Sequence, residues 1–179
     1  MRQIRVSGRD ILVKTVVTHT VTYFLVGLLA FVTFDYGHLY ANTSLNLLMR
    51  QTTEPLVMAG PLFQPIRGLL FGVVFYLLRE PFFERKRGWL VIWTVLVIIG
   101  ILGTFGPTPG SLEGVIYTVL PLRLHVVGLP ELLVQSLLLA FVLFQWVNDR
   151  DKKWFNVSMG AAFIIVLALP LLALVSRVR

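Results

Sequence analysis

The sequence predicts an all-α membrane protein: a five-transmembrane-helix bundle with a cytoplasmic N-terminus, an external C-terminus and two structured apolar outer connections. Three observations predict it. Hydrophobic residues make up 56% of the chain and charged residues 14%, where soluble domains carry about 25% charged residues. Five stretches reach the scale of about 20 apolar residues that a helix needs to cross the hydrocarbon core. Basic residues gather in short clusters beside one end of each stretch. A mean hydropathy of +0.81 over 179 residues cannot be enclosed in one water-soluble core, because a domain of that size leaves a large share of its chain at the surface. Residues 1–179 read as a single integral membrane domain, without an internal repeat or a low-complexity tract.

The first span falls at about 12–34. Basic residues precede it, as in a signal peptide, but its apolar run exceeds the about 7–15 residues of a signal core and no A-x-A site follows, so it reads as a retained helix. The second span lies at about 62–83, with Pro55, Pro61 and Pro65 punctuating its start. Proline suits the first turn of a helix and disrupts an interior. Placing Pro65 in the first turn gives a span of 65–83 and sets Arg67 near the outer headgroups. A span of 57–78 would instead bury Arg67 mid-bilayer, at a cost of about a few kcal/mol. The third span, 88–106, and the fifth, 154–175, contain no charge; the fourth is 129–147. The short loops predict antiparallel neighbours, the second helix with the third and the fourth with the fifth.

Orientation follows from lysine and arginine. Arg2, Arg5, Arg9 and Lys14 lie on one side with Arg79, Arg85, Lys86, Arg87, Arg150, Lys152 and Lys153, eleven in all. The other side has Arg50, Arg123 and the terminal Arg177 and Arg179. Basic loops stay cytoplasmic. Trp89, Trp93, Trp146 and Trp154 fall near the inner ends of the spans, as an aromatic belt at the interface requires.

The outer side holds two connections, 35–60 and 107–128. In the first, Asn42, Thr43 or Ser44 caps a short interfacial helix with Leu45, Leu48 and Met49 on one face. The second opens with a Pro/Gly turn cluster and becomes apolar, so it packs back on the bundle or dips into the outer leaflet, where protein must bury any irregular backbone.

Polar residues within this apolar chain are the candidates for a site. Arg67, Gln64, Glu113, Glu131 and Gln135 all fall in the outer third of the membrane or just above it. Glu131 and Gln135 share a helix face. An arginine there suits an anionic headgroup or a carboxylate, and a glutamate can relay protons; the structural reading pairs Arg67 with Glu113 or Glu131. Thr15, His19 and Thr22 form a polar stripe on the first helix, read as interhelical hydrogen bonding with a proton site as the alternative. Gly68 and Gly72 make a GxxxG packing face, within the bundle or between protomers. His38 and His125 read as surface residues, and no metal site is predicted because no spacing brings ligands together. Ser111 has the exposure a nucleophile wants, although a helix cap fits it equally well.

No catalytic motif and no catalytic residue is assigned: G-x-S-x-G, H-E-x-x-H, Walker A and G-x-G-x-x-G are all missing. The chain has no cysteine, which excludes disulfides and thiolate chemistry. A net charge of +7 is explained by the membrane surface, so nucleic acid is not expected as a partner and no cofactor is predicted. The expected location is the plasma (inner) membrane, with multiple passes. Three functions follow, in descending order: a non-enzymatic membrane subunit that docks with a partner or a second copy of itself, an oligomeric transport module for a small solute or ion, and a lipid-facing enzyme with an outer-leaflet site.

Overall fold

The structure, a computed structural model, describes residues 7–149 and 153–178. Arg2, Arg5, Arg150, Lys152 and Arg179 of the basic clusters and tail lie outside them. The described residues form helices and no strand: α1 (Gly8–Thr33), α2 (Tyr36–Asn42), a 3₁₀ turn (Ser44–Leu47), α3 (Pro55–Met58), α4 (Gly60–Leu77), α5 (Arg79–Phe83), α6 (Gly88–Val97) running into a π-helical turn (Ile98–Leu102), α7 (Leu112–Tyr117), α8 (Leu122–Val126), α9 (Leu129–Asn148) and α10 (Lys153–Val178). Four helices are long and apolar enough to cross a membrane: Gly8–Thr33, Gly60–Leu77, Leu122–Asn148 and Lys153–Ser176. The remaining apolar helix, Gly88–Leu102, is shorter.

The long helices give the bundle two ends. Arg9, Arg79, Arg85, Lys86, Arg87 and Lys153 mark the basic end; the opposite, loop end carries the turns that follow Thr33 and Leu102 and precede Gly60 and Leu129. Helix α1 is the centre of the packing, in contact with α4, α9 and α10, while α6 lies against α9 at the periphery. Helix α10 packs mainly along α1 and α4. The neighbours expected from the short loops are therefore not the principal ones. The tightest contact, α1 with α4, has its reason in Gly68 and Gly72, whose missing side chains let the two backbones approach closely.

The α1–α4 contact is backbone-close. A Cβ at Gly68 would lie 2.8 Å from Val16 Cα, and one at Gly72 would lie 3.1 Å from Leu12 Cδ2. Both glycines of the GxxxG face are thus covered by α1, inside the bundle. At the basic end a core of Ile11, Phe75, Phe82, Phe83, Ile92 and Leu143 is closed to solvent and lipid.

Helix limits differ from the sequence reading in three places. The second helix starts at Gly60 with Pro61 in its first turn, so Pro65 lies inside it, in the second turn. A proline there removes one hydrogen bond to the carbonyl of residue 61, a tolerable loss next to the helix start. That helix also stops at Leu77 and resumes as α5, because Pro81 cannot donate to the carbonyl four residues back. The third segment ends at Leu102 rather than 106; its last turn widens to π geometry, and Gly103 closes it by donating to Ile98 O at 2.7 Å. Its 15 residues span about 22 Å at the helical rise of 1.5 Å per residue.

Lys14 and Trp146 occupy different surroundings from those the basic and aromatic patterns suggest. Lys14 is 7% exposed. Its Nζ donates to Trp146 O at 2.8 Å and lies 3.2 Å from Asp10, so the charge caps the C-terminal turn of α9, where a cation complements the helix dipole. Trp146 is buried rather than interfacial, and its Nε1 donates to Asn156 Oδ1 at 2.5 Å, joining α9 to α10. Trp93 also turns inward, donating to Leu133 O at 3.4 Å. The two inward tryptophans are held by partners that an indole N–H needs when it leaves the interface.

Candidate functional site

Polar side chains concentrate between mid-bundle and the loop end, on the faces of α1, α4 and α9. On α1, Thr15 donates to Ile11 O at 2.7 Å and Thr22 to Thr18 O at 2.8 Å. Both hydroxyls thereby satisfy themselves on their own helix. His19, fully buried, instead reaches across: its Nε2 is 3.2 Å from Gln64 Oε1 on α4. The ring nitrogen therefore carries the proton in this contact, since an amide oxygen only accepts. His19 Nδ1 and Thr18 Oγ1 have no partner among the described residues.

Two cavities flank this core. The larger, about 330 Å³, opens at the loop end between α1, α2, the start of α4 and the start of α9; Tyr23, Phe31, Tyr36, Tyr40, Pro61 and Glu131 are among its walls. The Tyr36 hydroxyl donates to Glu131 Oε2. Tyr36 and Tyr40 stack with centroids 5.2 Å apart. Asp35 sets this geometry: its left-handed backbone, φ 46°, turns the chain sharply after α1, and its carboxylate accepts from His38 N at 3.3 Å to start α2. Burial, and then the bond to Glu131, push the Tyr36 hydroxyl well above the usual phenol range. Burial and the Glu131 charge push Tyr40 up to about 12.

The smaller cavity, about 120 Å³, lies between α4, the π turn and α9, with Arg67, Phe71, Gly100, Leu132, Gln135 and Leu139 among its walls. The Arg67 guanidinium sits over the Phe71 ring, 5.4 Å from its centroid.

The five residues grouped from sequence are thus divided. Arg67 and Gln135 share the smaller cavity, Glu131 faces the larger one, and Gln64 turns towards His19. The expected Arg67–glutamate pair does not form: the salt bridges between described residues are Lys14–Asp10 and Arg50–Glu54. Glu131 is held by a tyrosine from α2, and Glu113 lies in the first turn of α7, where its charge suits the helix dipole. The tyrosines of α2 escaped sequence reasoning because nothing local places residues 36–40 over Glu131. The one available signal was their aromatic spacing of four, which puts two rings on one helix face.

Two further readings are corrected. Ser111 is 1% exposed; its Oγ accepts from Gly114 N at 2.9 Å and donates to Thr108 O at 2.8 Å, so it caps α7 and is closed to substrate. His125 is 3% exposed rather than superficial, its Nδ1 accepting from Gly110 N at 3.3 Å. It pins a turn in which Gly110 adopts φ 89°, open to glycine at little cost. His38 is exposed. Thr43 caps the 3₁₀ turn, with Leu45 buried and Leu48 and Met49 exposed.

Fold and site together define a protein that is all-helical among the described residues, whose four long apolar helices suit a membrane and which carries two cavities of different lining, one with Glu131 and three tyrosines, the other with Arg67 and Gln135. No known family, no curated protein and no solved structure matches the chain.

Proposed function

We propose that this chain is a non-enzymatic, multi-pass protein of the plasma membrane that binds a small cationic solute, such as an amine, in the cavity at its outer end. The bundle crosses five times, with the N-terminus inside and the C-terminus outside. The basic end faces the cytoplasm, as clustered lysine and arginine require. Helix α6 makes the fifth crossing despite its length. The support is its antiparallel run along α9, from Trp89 against Phe141 to Trp93 against Leu133; a short span is accommodated by local thinning of the bilayer.

The observation that carries the function is the lining of the larger cavity. Glu131 is the charged residue there, three tyrosines surround it, and no basic side chain joins them among the described residues. A carboxylate in low dielectric attracts a cation strongly, and aromatic faces add to that attraction. The reading of a docking subunit loses one of its supports, since α1 covers both glycines of the GxxxG face. Self-association through α10 is a second reading, favoured by an open position at Gly160.

Binding is tested in nanodiscs by calorimetry with methylammonium, tetramethylammonium and spermidine. Glu131→Gln keeps an acceptor for Tyr36 and removes the charge. It should weaken the best amine by about tenfold or more. Equal binding of a neutral isostere, unchanged by Glu131→Gln, would refute the reading.

A further inference from the structure

We infer that the smaller cavity is a binding site for a phosphate oxyanion, built on Arg67 with Gln135 as a second donor. It is a separate site from the outer cavity, of opposite charge, and stands independently of any ligand there.

The argument begins with depth. Arg67 lies seven residues into α4 and Gln135 six residues into α9, so both sit about 10 Å below the loop end at 1.5 Å per residue. A guanidinium at that depth has two ways to limit its cost: it extends to the headgroups, or it meets an anion. The geometry points away from the first. Phe71 lies one turn further from the loop end than Arg67, and the guanidinium is stacked over that ring. The guanidinium of the exposed Arg67 therefore lies along the cavity wall towards Phe71, not up towards the near surface.

The protein supplies no anion for it. Glu131, in the first turn of α9, is engaged by Tyr36 and lines the other cavity. Neither Arg67 nor Gln135 makes a hydrogen bond or ion pair with any described residue, although Gln135 is only 8% exposed. Buried polar groups are ordinarily satisfied. Here the nearly buried carboxamide of Gln135 and the five-donor guanidinium of the exposed Arg67 line one space of about 120 Å³. A planar fork of N–H donors matches the oxygens of phosphate.

The rest of the wall suits a lipid. Phe71, Leu132 and Leu139 are apolar, and at Gly100 the π turn offers bare backbone, with no atom within 4 Å of an added Cβ. The oxyanion can come from an anionic headgroup with its chains along these residues, or from a soluble phosphate entering from outside.

The experiment compares wild type, Arg67→Ala, Arg67→Lys and Gly100→Leu. Gly100→Leu adds a side chain at a position of the cavity wall that has room for one, to obstruct the site, and leaves Arg67 in place. Retention of phosphatidylglycerol is read by native mass spectrometry. Inorganic phosphate is titrated separately against thermal stability in phosphatidylcholine nanodiscs. Wild type should respond to at least one probe. Arg67→Ala and Gly100→Leu should weaken that response by about tenfold or more, and Arg67→Lys by less, because it keeps the charge without the fork. Retention of phosphatidylglycerol without a phosphate response assigns the site to lipid; a saturable phosphate response assigns it to a soluble oxyanion. Should Arg67→Ala not fold, Gly100→Leu decides. No response in wild type, or one that Gly100→Leu leaves unchanged, overturns the proposal.

Discussion

Replacing Gly68 with alanine should loosen the contact between α1 and α4, whereas the same change at Gly72 should be nearly silent. At Gly68 the new Cβ would lie 2.8 Å from Val16 Cα and 3.2 Å from Val16 O, both backbone atoms. Relief means parting the helices by about 0.6 Å, a gap that forfeits about a quarter or more of the dispersion energy of the contacts it opens. Overpacking of this kind costs about 1–3 kcal/mol. Alanine returns up to about 1 kcal/mol in a water-exposed helix, but less in a bilayer, where the separated helix is already formed. The net loss is about 1–2 kcal/mol. At Gly72 the nearest atom, at 3.1 Å, is the rotatable Cδ2 of Leu12, with Leu12 Cα at 3.3 Å, so a shift of a few tenths of an ångström suffices and the net change is about zero. Reversible unfolding by dodecyl sulfate in mixed micelles measures both, and light scattering measures size. Equal losses at the two positions, or a change of oligomeric state with monomer stability intact, would refute the internal placement of this face.

Other predictions are local. Lys14→Met removes the cap on the last turn of α9 and the ion pair with Asp10, and should cost about 1–3 kcal/mol by the same unfolding assay. Ser111→Ala should cost about 0.5–2 kcal/mol and raise hydrogen exchange in residues 108–118, leaving solute binding unchanged. Tyr40, shifted up to about 12 in the fold from about 10 in the unfolded chain, stays protonated in the fold after it ionises in the unfolded state. The stability it supports is complete below pH about 10 and falls as pH rises towards 12; Tyr40→Phe should flatten that alkaline loss, and phenolate absorbance should show one late-titrating group fewer.

The sequence makes the apolar helices legible because hydropathy and charge act over 20-residue windows, and four of them persist as long helices. Their ends are less legible. The stop at Leu77 depends on Pro81, and the stop at Leu102 on Gly103, single residues within otherwise apolar runs. Charge pairing is illegible for a different reason. Arg67 and Glu131 fall at compatible depths, but depth does not fix azimuth around the bundle. Tyr36 reaches Glu131 first, and Arg67 turns onto Phe71. Lys14 shows the same limit: a basic residue near a span end counts towards orientation, yet only the packing of α9 reveals that it is buried as a cap.

The crossing by residues 88–102 tests the account most directly, since the outer location of both the α7–α8 connection and the C-terminus depends on it. The chain is free of cysteine, so single cysteines at Lys86 and Thr108 can be labelled with a membrane-impermeant maleimide in intact and lysed cells without a background thiol. Five crossings require Lys86→Cys to react only after lysis and Thr108→Cys to react in intact cells. Labelling of both positions from the same side would contradict the arrangement.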